Sequence, residues 1–261
     1  MKPLAELSKP PRLKGILCDI DDTLTLHGRL VPEAFIALQR LQTAGLRVVP
    51  ITGRPGGWVD QIARMWPVDG VVGENGGLWY WMDDVTGKLE RRFVQDIDTR
   101  RQNKVRLEQL SKTILREVPG CALASDQPYR DLDLAIDFCE DVPSLPEEAI
   151  DSIVSLFEEA GATCKVSSIH VNGWFGQFDK LHGFQQFHLD RWGEQADFSE
   201  WAFFGDSAND EPMFKAFEWS FGVANVKDFL PRLTHPPKWV TPSEGGHGFV
   251  EGIEVLLEAQ P

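Results

Sequence analysis

The chain predicts an α/β protein, a parallel-sheet core domain interrupted by an inserted α+β domain. Three observations carry this. From Leu13 to Val72, and again after Gly173, short apolar runs alternate with helix-length amphipathic stretches, the mark of a parallel sheet with crossover helices. Glycine and polar residues cluster directly after these apolar runs, where open α/β sheets place their sites. Between the two parts the pattern changes to hairpins and period-two strands, which suit a one-faced antiparallel sheet covered by helices.

Leu13 to Cys18 is nearly all apolar and reads as an interior strand. Pro32 to Ala44 reads as a helix, with Phe35, Leu38 and Leu41 at helical spacing, Pro32 in the first turn and Gly45 at the stop. Leu46 to Ile51 is a second strand, Trp58 to Trp66 a helix, and Val68 to Val72 a third strand that runs into Gly73-Glu74-Asn75-Gly76-Gly77. Leu78 to Phe93 reads as a hairpin turning at Thr86-Gly87, and Thr99 to Val118 as a charged helix. Leu132 to Phe138 alternates apolar and polar residues, as a half-exposed strand does. Pro146 to Ala160 is an amphipathic helix stopped by Gly161, and Thr163 to Val171 a further strand. The parallel pattern resumes with a helix over Asp179 to Trp192, a strand at Trp201 to Phe204 and a helix over Glu211 to Phe217. Short strands at Trp219 to Val223 and Lys238 to Thr241 and a helix over Phe249 to Glu258 close the chain. The expected division is residues 1–83 and 173–261 for the core and 84–172 for the insertion.

The net charge of −14 argues against broad electrostatic binding to nucleic acid or to an anionic membrane. It leaves room for an anionic small substrate, because a local site can be positive inside a negative protein. There is no signal-peptide-like N-terminus and no apolar stretch of membrane-spanning length. The four cysteines, Cys18, Cys121, Cys139 and Cys164, are scattered without short paired spacing, so a cytoplasmic protein without disulfide or zinc framework is expected. The sequence gives no oligomeric state. Most of the nine tryptophans are expected in the core, and His182 and His188 are read as structural or exposed.

The chemistry gathers at strand ends. Cys18-Asp19-Ile20-Asp21-Asp22-Thr23 follows the first strand. Asp19 and Asp21 are two apart and point the same way in an extended chain. Buried together, they require a cation or a shared proton. A second acidic cluster, Gly205-Asp206-Ser207-Ala208-Asn209-Asp210, follows another apolar strand. Each is also a common kind of turn or helix cap when taken alone. Carboxylates after two parallel strands can converge above the sheet, and such an oxygen-rich, cysteine-free set suits Mg²⁺. Thr52-Gly53-Arg54 offers a hydroxyl and backbone N–H groups for a phosphate oxygen. Lys180 supplies the cation that several carboxylates and a phosphate dianion still need.

These pieces, in this order, resemble the haloacid dehalogenase superfamily of phosphotransferases. Asp19-x-Asp21-x-Thr23 matches its first motif, Thr52 its second, Lys180 its third, and Gly205-Asp206-x-x-Asn209-Asp210 its fourth. The insertion between the second and third motifs resembles the C2-type cap of the type IIB members, which include sugar phosphatases. The resemblance implies a Rossmann-like core under a cap domain. It implies Asp19 as nucleophile forming an aspartyl phosphate, and Asp21 as general acid and then base. It implies Mg²⁺ held by Asp19, Asp206 and the backbone carbonyl of Asp21, with Asp210 orienting the metal waters or Lys180 or binding the metal less directly. Thr52, Gly53, Lys180 and Asn209 would hold the phosphoryl group. Asp22 is a turn residue in this scheme. Arg54 touches substrate or forms a structural salt bridge, and Glu74 and Asn75 shape a turn or face the substrate; both pairs of readings stay open. His170 and Asn172, sharing one face of a cap strand, are candidates to read sugar hydroxyls, with Trp174 as a stacking platform.

The expected function is Mg²⁺-dependent hydrolysis of a small phosphorylated metabolite, a sugar phosphate foremost. The alternatives are a phosphosugar mutase of the same superfamily and a catalytically silent phosphometabolite-binding protein.

Overall fold

The computed structural model describes residues 1–7 and 12–258; residues 8–11 and 259–261, within the two expected core segments, lie outside the described residues. A short strand, β1 (Lys2–Pro3), precedes β2 (Gly15–Cys18), which is buried throughout. A small hairpin, β3 (Thr25–Leu26) and β4 (Arg29–Leu30), leads into α1 (Pro32–Thr43). Pro32 occupies the first turn, where its missing N–H costs nothing, and Gly45 takes φ +78° just beyond the end. β5 (Arg47–Pro50), α2 (Gly56–Met65) and β6 (Val71–Gly73) continue the alternation. The expected hairpin forms as β7 (Leu78–Met82) and β8 (Leu89–Phe93). β7 pairs with both β6 and β8, so residues 83/84 lie in the turn of a hairpin that stays with the first layer.

A second layer follows. It contains α3 (Ile97–Glu117), β9 (Ala122–Leu123), β10 (Asp133–Asp137), α4 (Glu147–Glu159), β11 (Thr163–Val166) and β12 (His170–Trp174). Its antiparallel sheet has the order β11-β12-β10-β9. Leu107 and Ile114 of α3 and Ile153 and Phe157 of α4 pack with Leu134 and Ile136 of β10 and Val171 of β12. Two expectations need correction here. β10 is buried along its whole length, not half-exposed. Its polar face is covered because Asp133 accepts from Arg130 and Asn172, and Asp137 accepts from the backbone N–H groups of Cys139, Glu140 and Asp141. The single strand expected over Thr163 to Val171 is a hairpin, β11 and β12. Ser167 makes the turn, its Oγ accepting from the His170 N–H at 3.0 Å.

The chain then returns through α5 (Lys180–Trp192), β13 (Trp201–Gly205), α6 (Glu211–Ala216), β14 (Trp219–Gly222), β15 (Trp239–Val240) and α7 (Gly245–Leu257). The main sheet is parallel with the order β1-β15-β14-β13-β2-β5. A parallel bridge from Ile51 to Val72 carries it on to β6. Alternate residues of each strand face opposite sides. Ile16 and Cys18 pack with Leu38 of α1 and Phe249 of α7, while Leu17 packs with Phe184 of α5 and Phe214 of α6. Burying both faces explains why these strands read as continuous apolar runs. Among the described residues, no helix is long and apolar enough to cross a membrane.

Candidate active site

Strands β2 and β13 are direct neighbours, with Cys18 opposite Phe204, so the loops at their carboxyl ends leave the sheet side by side. The Asp19 N–H donates to the Phe204 carbonyl at 2.9 Å, one residue beyond the ladder. This register places Asp19 and Asp206 together over the sheet edge. Gly205 makes the exit tight: a Cβ there would strike the Asp210 carboxylate and the Phe203 ring. Asp210 turns back over this corner. Its Oδ2 accepts from the backbone N–H groups of Asp206 at 3.0 Å and Ser207 at 3.2 Å. One ligand atom from each of Asp19, Asp206 and Asp210 lies within 4.8 Å of the others, and all three residues are buried.

Lys180 is the counter-charge. It opens α5, whose N-cap Asp179 accepts from the His182 N–H at 2.8 Å. The helix approaches closely because Gly183 lies against Gly76, leaving no room for a Cβ. Lys180 Nζ donates to Asp19 Oδ1 and to Asp210 Oδ1, each at 2.7 Å. Burial alone would lower the lysine pKa; Asp19 and Asp210 outweigh it and raise it. One ammonium does not neutralise the group. Burial pushes Asp19 up to about 7 despite Lys180, and burial with the charges of Asp19 and Asp210 pushes Asp206 well above its usual range. This excess of buried carboxylate, all hard oxygen donors, fits a divalent cation such as Mg²⁺.

Asp21 is held apart from that group. Arg54 donates to its carboxylate through Nε and Nη2, at 2.8 to 3.1 Å. The same guanidinium reaches Asp126 Oδ2 at 3.3 Å and Glu140 Oε1 at 2.6 Å in the second layer, and it lies over the Trp58 ring. Asp19, Asp21, Gly53, Arg54, His170, Asn172 and Asn209 line one small void of about 10 Å³ between the two layers.

The remaining sequence candidates fall around this void. Thr52 is buried and its Oγ1 accepts from the Arg54 N–H at 3.0 Å. The Gly53 carbonyl accepts from Arg130 Nη1 at 2.8 Å. Asn209 Nδ2 donates to Asn75 Oδ1 at 3.2 Å, and Asn75 adopts the left-handed φ of +53° that asparagine tolerates. Glu74 braces the two layers. Its carboxylate accepts from the backbone N–H groups of Gly56, Asp131 and Leu132. His170 Nε2 lies 2.8 Å from Glu140 Oε2, and Asn172 Nδ2 donates to Asp133 Oδ2 at 2.8 Å. Trp174 is fully buried and stacks on Phe178 at 5.2 Å, so it offers no platform. His188 is a core histidine whose Nδ1 lies 2.8 Å from the Glu194 carbonyl.

Four participants are not among the candidates read from the sequence. Asn225 Nδ2 bridges the Asp22 carbonyl and Asp206 Oδ2. Asp126, Arg130 and Glu140 extend the charge network across the layers. The one available signal was Glu140-Asp141, an acidic pair shortly after the alternating strand Leu132 to Phe138.

A parallel sheet with clustered carboxylates and one lysine at its carboxyl edge, roofed by a second α/β layer, defines a capped hydrolase of the phosphoryl-transfer type. The haloacid dehalogenase-like hydrolase family matches residues 16–105 of this chain. The phosphoglycolate phosphatase of Methanosarcina mazei is 28% identical over 256 residues, covering 94% of this chain and 97% of its own. The solved Thermoplasma acidophilum protein 0175 superposes with a TM-score of 0.69 at 19% identity, over 95% of this chain and 100% of its own. A subclass IIB sugar phosphatase of the same superfamily superposes with a TM-score of 0.64 at 14% identity, over 93% of this chain and 98% of its own.

Proposed function

We propose that the protein is a Mg²⁺-dependent phosphatase for a small phosphorylated metabolite, working through an aspartyl phosphate on Asp19. The observation that carries this is the pairing of Lys180 with both Asp19 and Asp210 beside Asp206, while Arg54 keeps Asp21 separate. Asp19, Asp206 and Asp210 are the side chains that would hold Mg²⁺, together with the Asp21 carbonyl. The ion supplies charge neutralisation around the phosphoryl group. Asp19 attacks phosphorus, and Lys180, Gly53, Thr52 and Asn209 hold the phosphoryl oxygens. Asp21 delivers a proton to the leaving oxygen and afterwards takes one from water.

The second layer, residues 97–174, is the cap. Its contacts with Arg54 and Gly53 close the site against bulk water. A short leaving group is the first reading, because the cap contacts on Arg54 and Gly53 crowd the space beside Asp19. The M. mazei relative's name points the same way, to phosphoglycolate. A sugar phosphate is the second reading, favoured by the polar cap face of His170 and Asn172. All four cysteines are free, which suits the cytoplasm. The test is acid quenching of the Mg²⁺-loaded enzyme during turnover of a radiolabelled phosphoester. Label on the peptide containing Asp19 is expected; turnover with no labelled peptide contradicts the assignment.

A further inference from the structure

We propose that Arg54 and His170 form a subsite for a carboxylate on the substrate's leaving group, and that Glu140 occupies this subsite as a built-in placeholder. The inference rests on the phosphatase reading and names the chemistry that reading leaves open. Arg54 faces a carboxylate excess: Asp21, Asp126 and Glu140 all bond one guanidinium. Asp21 belongs to the nucleophile's own loop. Asp126 is anchored independently, since Arg130 Nε donates to its Oδ1 at 3.0 Å and Nη2 to its Oδ2 at 3.1 Å. The Glu140 side chain has neither tie. Among the described residues, its oxygens meet Arg54, at 2.6 and 3.4 Å, and His170 Nε2, at 2.8 Å. It is also the most exposed of the three, at 26% against 16% for Asp21 and 8% for Asp126.

The position fits a substrate carboxylate. Arg54 and Asp21 line both the inner void beside Asp19 and an outer depression of about 290 Å³. Glu140 lines the outer space and His170 the inner one, so the carboxylate of Glu140 spans the entrance between them. Arg54 touches Asp21 with one edge and Glu140 with another. An anion replacing Glu140 therefore lies one guanidinium away from the acid that serves the leaving oxygen. That spacing selects a phosphoester whose leaving group is a short hydroxy acid. Guanidinium and imidazole are suited to a planar carboxylate. Displacing Glu140 into the outer depression keeps the charge count around Arg54 unchanged. A neutral leaving group gains nothing from the exchange and leaves Glu140 in place.

The experiment compares 2-phosphoglycolate with ethyl phosphate, which lacks the carboxylate, in wild type, Glu140→Ala and His170→Ala. For 2-phosphoglycolate, His170→Ala is expected to raise KM about tenfold, as loss of one charge-assisted contact does. Glu140→Ala is expected to lower it, because no internal competitor has to leave. KM for ethyl phosphate is expected to move far less than KM for 2-phosphoglycolate in both. Equal movement with both esters, or a raised KM for 2-phosphoglycolate in Glu140→Ala, overturns the subsite while leaving the phosphatase reading intact. If wild type turns over neither ester, the phosphatase reading fails. Calorimetric binding of glycolate to the three proteins then judges the subsite: tightest binding to Glu140→Ala and weakest to His170→Ala supports it, and equal binding overturns it.

Discussion

The contact between Glu140 and its two partners sets a measurable acid dependence of stability. Burial pushes the Glu140 carboxyl up, but its close contacts with His170 and Arg54 outweigh it and hold the pKa down at about 2, against 4.5 for the free side chain. A depressed pKa in the folded state means that the unfolded chain binds the proton first. The stabilisation is present in full above 4.5 and is lost as the pH falls through about 2. The difference corresponds to about 3 kcal/mol, a ceiling because part of the side chain meets solvent. Replacing Glu140 by Gln keeps the shape and one acceptor but removes the charge. Urea unfolding at neutral pH is expected to show the variant less stable by about 1–3 kcal/mol with an unchanged m-value. Near pH 2 the two proteins are expected to converge. Other carboxylates also titrate in this range, but they cancel in the difference between the two curves. A gap that persists unchanged into acid, or no gap at neutral pH, refutes the reasoning. With the proposed subsite, this contact stabilises the empty protein at the expense of substrate affinity, a common trade in active sites.

Three other outcomes follow from the geometry. Asp19→Asn retains an acceptor for Lys180, so circular dichroism and unfolding stability should stay close to wild type while turnover vanishes; residual turnover near the wild-type rate contradicts the nucleophile assignment. Gly183→Ala drives a methyl group into Gly76 and should cost about 1–3 kcal/mol in urea unfolding, with a lower kcat because α5 carries Lys180; unchanged stability contradicts the close approach. Chelation of divalent cations should abolish phosphate release, because Asp19, Asp206 and Asp210 would then lack the ion they are gathered to hold; turnover in excess chelator contradicts the metal requirement.

Much of the core was legible because burial on both faces leaves a strong trace. The run from Leu13 to Cys18 is apolar because Ile16 and Leu17 serve opposite layers of helices. Asp19 and Asp206 were visible as carboxylates ending such runs, and the parallel register of β2 with β13 brings them together. The cap was harder to read for a physical reason. Alternation along Leu132 to Phe138 separates two faces but does not say what covers the polar one. Arg130, Asn172 and three backbone N–H groups cover it, so Asp133 and Asp137 are buried where exposure was expected. The hairpin hidden within Thr163 to Val171 turns on Ser167, whose side chain bonds the local backbone, a signal that periodicity does not register. Arg54 was open between substrate contact and salt bridge; the structure shows the ion pairs, with Asp21, Asp126 and Glu140. Asp126, Arg130 and Glu140 joined the site only through tertiary contact across two layers, which no local spacing encodes.

The most direct test of the central claim is phosphate release from a panel containing 2-phosphoglycolate, a hexose phosphate and ethyl phosphate, titrated with Mg²⁺ and followed by identification of the organic product. The account predicts Mg²⁺-dependent release of inorganic phosphate with 2-phosphoglycolate preferred and the free alcohol as product. A phosphate moved within the substrate, or no turnover of any ester at saturating Mg²⁺, contradicts it.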